Sequence, residues 1–317
     1  MKTIGGTVIP LPTPFDERGE VDEKVFRQII DFELNAGADG VMACGSYGQG
    51  PVMRPDQRKR VAEIALDQVN RRVPVIIHVG APDIQTVLEL AEHSGKIGVD
   101  GLLIVPPYYY TDHNEYEITE HYKAVARKVP LPIYIYNNKR YAGIDITPDY
   151  ARRLVEAVPT IRGVKLAWGT LQESTSYIEA LKGHDFGVFP GTPTETVAGV
   201  GIGVRGTIAP LASVFPELCA GTWRAATGKE KEKASLLQEK VKKVYAVVAD
   251  LTKKVGRTAY KELYRMRGIE IKMYPRWPAK QMNDAERDEL RAKLSEAGWP
   301  PSPSGSQISN LKSQIAV

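Results

Sequence analysis

Ile161-Arg162-Gly163-Val164-Lys165-Leu166-Ala167-Trp168-Gly169 reads as a short buried strand that carries a lysine in its apolar run. Lys165 has Val164, Leu166 and Ala167 as its neighbours. A lysine in such a strand is costly unless its ammonium is paired or its pKa falls. A lowered pKa leaves a neutral, nucleophilic amine, which is what imine formation with a carbonyl compound requires. The alternative is a lysine at a strand end with its head in water. What the rest of the chain brings to the same strand end decides between the two.

Working outward, the chain repeats one rhythm: an apolar run, a polar turn, a helical pattern. Strands are expected at 6–11, 40–44, 73–79, 101–105, 133–136, 163–166, 186–189 and 206–209. Helical patterns lie at 22–36, 55–70, 83–96, 115–128, 148–157, 171–181 and 193–200, with Asp22, Asp83 and Thr147-Pro148 as helix starts. Strands that alternate with helices form parallel βαβ units, and near-continuous apolar runs fit strands covered on both faces. Eight such units predict an α/β fold, a (β/α)8 TIM barrel, with a doubly wound open sheet as the alternative. After Pro210 only helical patterns follow, at 213–227, 229–251, 256–267 and 284–297. The expected organisation is a barrel catalytic domain over 1–212, a C-terminal helical appendage over 213–299 and a mobile tail over 300–317. The tail opens with Pro300-Pro301-Ser302-Pro303-Ser304-Gly305, which cannot continue a helix. The charge run Lys229-Glu230-Lys231-Glu232-Lys233 reads as a solvated helix face.

A net charge of +4 is too small to argue for nucleic acid or an anionic membrane. No apolar run reaches the length of a membrane span or of a signal peptide core. Cys44 and Cys219 give neither a disulfide framework nor a metal-ligand spacing, and His78, His93, His113, His121 and His184 show no ligand pattern. The expectation is a cytoplasmic enzyme without metal or other cofactor.

In a barrel, chemistry gathers where strands end. After the second expected strand comes Gly45-Ser46-Tyr47-Gly48-Gln49-Gly50-Pro51, after the fourth Pro106-Pro107-Tyr108-Tyr109-Tyr110, at the fifth Tyr134-Ile135-Tyr136-Asn137, and on the sixth Lys165. The glycines let backbone amides approach an anion such as a carboxylate, or simply make a tight turn. The phenols relay protons, or pack over the barrel mouth. Gly201-Ile202-Gly203-Val204-Arg205-Gly206 spells the dinucleotide fingerprint, but it precedes an apolar run and lacks the acidic residue further on, so it argues little for a nicotinamide enzyme.

Ser46-Tyr47 in a glycine turn, Tyr109 after Pro107, Tyr136-Asn137 and Gly163-Val164-Lys165 stand in register along the chain. In these motifs the sequence resembles the dihydrodipicolinate synthase and N-acetylneuraminate lyase family over about residues 4–297. The resemblance implies that Lys165 forms an imine with pyruvate or another 2-keto acid, and that Tyr136 shuttles the protons. It implies that Ser46, with Gly45 and Tyr47 of the same turn, positions the keto-acid carboxylate, and that Tyr109 is lent across the interface of a homotetramer. The partners it implies are a small 2-keto acid and an aldehyde.

Several positions depart from the synthase pattern. Tyr141 stands where synthases hold an arginine for a substrate carboxylate, and Arg140 comes one position early. Gln49 replaces the usual glutamate. Gly48-Gln49-Gly50-Pro51, Val105-Pro106-Pro107-Tyr108-Tyr109 and Tyr274-Pro275-Arg276 resemble the 2-keto-3-deoxygluconate aldolase branch instead. The expected activity is therefore reversible aldol cleavage of a 2-keto-3-deoxy sugar acid, with Arg140, Gly206 and Thr207 as further substrate-binding residues. A dehydratase or a synthase-like condensation on the same imine is the alternative, and a catalytically silent barrel a third reading.

Overall fold

The structure, a computed structural model, describes residues 4–272 and 280–299. The expected tail and the Tyr274-Pro275-Arg276 motif lie outside the described residues. Eight strands follow one another as β1 (Gly6–Pro10), β2 (Gly40–Ala43), β3 (Val75–His78), β4 (Gly101–Ile104), β5 (Ile133–Asn137), β6 (Ile161–Leu166), β7 (Gly187–Pro190) and β8 (Gly206–Thr207). They pair in parallel in the order β7-β6-β5-β4-β3-β2-β1-β8. Across the remaining seam the Arg205 amide donates to the Val188 carbonyl at 3.1 Å and the Ile208 amide to the Pro190 carbonyl at 3.0 Å. The sheet therefore curls into a nearly closed (β/α)8 barrel, as expected, and not into an open sheet.

The intervening helices are α1 (Glu23–Asn35), α2 (Pro55–Val69), α3 (Ile84–Ile97), α4 (Glu115–Lys128), the short α5 (Lys139–Ala142), α6 (Pro148–Ala157), α7 (Leu171–Ala180) and α8 (Thr196–Ile202). Asp22, Asp83 and Thr147 do start their helices, each side chain accepting a backbone N–H of the first turn. A repeated device fixes the strand starts: Asp39 accepts the Thr7 amide at 2.8 Å and Asp100 the Val75 amide at 2.9 Å, each carboxylate standing just before a strand glycine.

The C-terminal helices are α9 (Leu211–Val214), α10 (Pro216–Thr227), α11 (Lys231–Val255), α12 (Ala259–Met266) and α13 (Asp284–Glu296). One long helix is expected over 213–227; Pro216 instead opens a new helix at its first turn, where the missing N–H is harmless. α10 packs on β1 and α8 and takes the eighth helix position of the barrel. The glycine fingerprint ends α8, with Gly203 at φ +95°, rather than opening a helix after a strand. That is the wrong context for a dinucleotide.

Residues alternate across the strands. Val41, Ala43, Val75, Ile77, Val164 and Leu166 face the helices, whereas Val8, Met42, Ile76, Leu103, Tyr134 and Phe189 fill the barrel. The Tyr134 and Phe189 rings meet edge to face at 5.8 Å. Small residues on the neighbouring strands make this layer possible. A Cβ on Gly163 would lie 2.4 Å from the Gly187 carbonyl oxygen and 3.0 Å from Tyr134, and one on Gly206 would lie 2.3 Å from the Gly6 carbonyl oxygen. Gly163→Ala should therefore destabilise the protein by about 1–3 kcal/mol, the usual cost of overpacking. The midpoint of urea unfolding reads this, with an unchanged slope expected.

Candidate active site

Where the strands end, the barrel opens into a cavity of about 310 Å3. Its floor is made by Tyr136 of β5, Lys165 of β6, Ala167, Gly191, Ile208, Pro210 and the turn residues Ser46, Tyr47 and Gln49. The facing wall belongs to the C-terminal helices: Tyr245, Ala249 and Thr252 of α11, then Thr258, Tyr260 and Lys261 at α12. Tyr141 and Trp168 stand at its edge.

The alternation that sends Val164 and Leu166 outward turns Lys165 into the barrel, directly beside its cross-strand partner Tyr136. Lys165 is 5% exposed, and its Nζ lies 4.3 Å from the centroid of the Tyr136 ring. It is not a strand-end lysine with its head in water. Burial lowers its pKa, and the contact with Tyr136 partly opposes the shift. Among the described residues lining the cavity there is no carboxylate.

Behind Tyr136 stands His78, ring edge to face at 5.7 Å. Its Nδ1–H donates to the Cys44 carbonyl at 3.1 Å, and its Nε2 has no partner among the described residues. Burial, then the charges of Arg58 and Lys165, hold the imidazole neutral, well below the ordinary histidine range. Arg58 braces the end of β3 from below, donating to the carbonyls of His78 at 2.7 Å and Gly80 at 3.0 Å. His78, Tyr108 and Asn138 border a second cavity of about 310 Å3, which shares Ser46, Gln49 and Tyr141 with the first.

The turn after β2 is tightly drawn. The Gly50 amide donates to the Gly45 carbonyl at 3.0 Å, and a Cβ on Gly50 would fall 1.7 Å from the Cys44 carbonyl oxygen. Only glycine fits there, and the closure directs Ser46 and Tyr47 to the cavity. The Tyr47 ring stands edge-on to Tyr260 at 4.8 Å. Its hydroxyl lies 2.8 Å from Ser213 Oγ, which donates to the Pro210 carbonyl at 2.6 Å. Behind it the Tyr264 hydroxyl donates to the buried Glu33 at 2.6 Å. Burial raises the pKa of Tyr47, Tyr264 and Glu33 well above their ordinary values.

The structure brings Ser46, Tyr47, Tyr136 and Lys165 together at one cavity, with Gly45 in the turn that carries two of them. It does not bring four other expected site residues there. The Arg140 guanidinium lies over the Trp168 ring, 5.1 Å from its centroid. Tyr109 is 81% exposed and packs on Tyr110 at the surface. Gly206 is inside the barrel, but in the Tyr134–Phe189 layer, where it yields room to Phe189 rather than to a ligand. Thr207 points the opposite way, to a minor crevice beside Thr170 and Ser174, so Ile208 and Pro210 are the residues that reach the cavity. Sequence reasoning missed His78, Trp168, Tyr260 and Lys261. Trp168 could have been found, because it follows the lysine strand by two residues, where a barrel places its site. The residues of α12 carry no such signal, since that helix is buried on most sides.

This is a barrel with a cavity assembled from strand ends and closed by the C-terminal helices. The chain belongs to the Dihydrodipicolinate synthetase family, which it matches over residues 3–297. Members of this family are lyases and synthases. The chain is 31% identical over 293 residues to the 4-hydroxy-tetrahydrodipicolinate synthase of Syntrophus aciditrophicus, covering 92% of this chain and 98% of that one. It is 29% identical over 303 residues to a probable 2-dehydro-3-deoxy-D-pentonate aldolase, YjhH, of Escherichia coli K12, covering 95% and 100%. Among solved structures it is similar to YagE of E. coli K12, a prophage protein of the same family in complex with pyruvate, with a TM-score of 0.87, 25% identity and 94% and 99% coverage. No helix among the described residues is long and apolar enough to cross a membrane.

The second cavity lysine has a measurable signature. Burial lowers the Lys261 pKa to about 8. Between that value and the ordinary lysine value the unfolded chain binds more protons than the folded one, so this residue's contribution makes stability rise with pH across that window. Below about pH 8 both states are protonated and the slope vanishes. The stability difference between the wild type and Lys261→Met should shift in favour of the wild type from about pH 8 upward, read by urea unfolding at stepped pH.

Proposed function

We propose that the protein is a carbon–carbon lyase that forms a Schiff base between Lys165 and pyruvate or another 2-keto acid. The observation that carries this reading is the buried Lys165 amine at the cavity floor, 4.3 Å from the Tyr136 ring centroid, with a lowered pKa and no lining carboxylate among the described residues. A neutral amine attacks the 2-keto carbon, and the carbinolamine loses water to give the imine. Tyr136 passes the protons, since a phenol donates and accepts. The protonated imine accepts the electron pair of the C3–C4 bond when the 4-hydroxyl gives up its proton. Aldehyde leaves, and an enamine remains. Protonation at C3 and hydrolysis return pyruvate and the free lysine; the reverse sequence is the condensation. Ser46 and the backbone of its turn receive the keto-acid carboxylate.

The aldolase direction is supported by Gln49 and Tyr141, which stand at the cavity where the synthase pattern has an acid and a base, and by the relative named as a probable 2-dehydro-3-deoxy-pentonate aldolase. The substrate is then a 2-keto-3-deoxy sugar acid. The pyruvate bound to YagE supports the keto-acid half. Loss of the 4-hydroxyl from the same imine would make the protein a dehydratase, and condensation a synthase. Tyr109, exposed on its own subunit, is free to complete a neighbouring subunit's site in a homotetramer. Trp168, with Arg140 stacked over its ring, acts as an edge to the cavity mouth.

Borohydride reduction in the presence of pyruvate, followed by peptide mass spectrometry, should give one reduced adduct, on Lys165. Lys165→Ala should give none and should have no turnover; turnover near the parent level would remove the imine from the mechanism. No adduct with any keto acid would leave the silent barrel as the better reading. Tyr136→Phe should fold normally and lower kcat about 10²–10⁴-fold, the usual worth of a lost acid–base group. An unchanged kcat would take Tyr136 out of the proton path.

A further inference from the structure

The cavity has a second lysine whose chemistry the imine does not use. Lys261 of α12 lines the same cavity as Lys165, on the wall built by the C-terminal helices, and is 4% exposed. Its Nζ has no hydrogen-bond partner among the described residues. It lies over the face of Phe15, with the ring centroid 5.4 Å away. Buried ammonium groups are ordinarily paired or replaced, because desolvation is costly. Among the described residues no neighbouring charge offsets the burial, which alone lowers its pKa. The carboxylates on adjoining elements are engaged elsewhere. Glu33 accepts the Tyr264 hydroxyl, and Glu262 faces Arg265 and Arg287. A methionine would fill the same space at lower cost. An unpaired lysine in this position is therefore matched to something that enters the cavity.

We propose that Lys261 binds a second anionic group, a carboxylate or phosphate at the end of the substrate remote from the 2-keto acid. The inference rests on the imine reading, because that reading assigns the keto-acid end of the substrate to Lys165 and Ser46. Its four-carbon arm lets the ammonium turn from Phe15 into the cavity when a counter-charge arrives, and the hydroxyls of Tyr260 and Thr258 line the same wall. A substrate with a neutral remote end leaves the amine without a partner and loses that contact.

The test uses three 2-keto-3-deoxy acids of equal chain length, ending in a hydroxymethyl group, a carboxylate or a phosphate ester. For each, the concentration giving half-maximal borohydride trapping on Lys165 is measured. One of the charged ends should need about ten- to hundredfold less than the hydroxymethyl end, the worth of a charge-assisted hydrogen bond. Which charged end wins identifies the anion. Lys261→Met should bring that ratio to near one, and Lys261→Arg should keep most of it. A merely structural lysine would leave the ratio unmoved. A wild-type ratio near one overturns the proposal without any variant, as does a preference that survives Lys261→Met. The imine reading is decided separately by pyruvate trapping. If that fails, the rise in Tm that the three compounds give the Lys165→Ala protein still decides Lys261, by the same end-group comparison.

Discussion

The site depends on keeping an amine out of water without giving it a carboxylate. Lys165 is buried beside a phenol and a neutral imidazole, and the lining residues described around it supply hydroxyls and aromatic faces rather than negative charge. A single acid in contact would stabilise the ammonium and hold the lysine protonated. The histidine behind Tyr136 is held neutral by the same burial, so it adds no competing charge. Glu33, behind the Tyr47 side of the cavity, has its pKa raised by burial and accepts the Tyr264 hydroxyl. Low polarity around one basic group is thus built into several elements at once.

That arrangement requires a solid floor. The edge-to-face pair of Tyr134 and Phe189 fills the barrel, and Gly163 and Gly206 on the neighbouring strands, with Gly187 on Phe189's own strand, give up their side chains to admit it. Two residues further along β6 from Gly163 comes Lys165, which stands on the same inward face of the strand. The glycine and the lysine are one design: the first lets the layer close, and the second stands on it. The Gly-Val-Lys run therefore records both packing and chemistry.

This explains what the sequence made legible. The strands are buried on both faces, so each announces itself as an apolar run, and the eightfold rhythm follows. Ser46, Tyr47, Tyr136 and Lys165 were readable because they lie at strand ends, where chain order alone fixes their neighbourhood. The last strand is only two residues long, so the sequence did not show that Gly206 lies one layer below the cavity or that Thr207 faces outward. Arg140 misled because the short helix α5 turns it onto Trp168, and a four-residue helix has no readable period. His78 was unreadable for another reason: its place behind Tyr136 is set by cross-barrel packing, not by any local pattern.

The facing wall was the least legible part, and its residues bear most directly on substrate choice. α11 and α12 are far from the strand ends in sequence and reach the cavity only because the C-terminal helices pack over α1, α8 and β1. Strand ends hold groups whose positions are fixed by the barrel, so they suit the steps common to every 2-keto acid. A wall carried on separate helices changes its side chains without disturbing the barrel, so it suits the part of the substrate that differs from one enzyme to the next. On the proposed reading, aldolase, dehydratase and synthase chemistry share an imine and diverge at the remote half of the molecule. The residues that separate them are therefore to be sought on the helices, in Tyr245, Tyr260 and Lys261, at least as much as among the strand-end motifs by which the family is recognised.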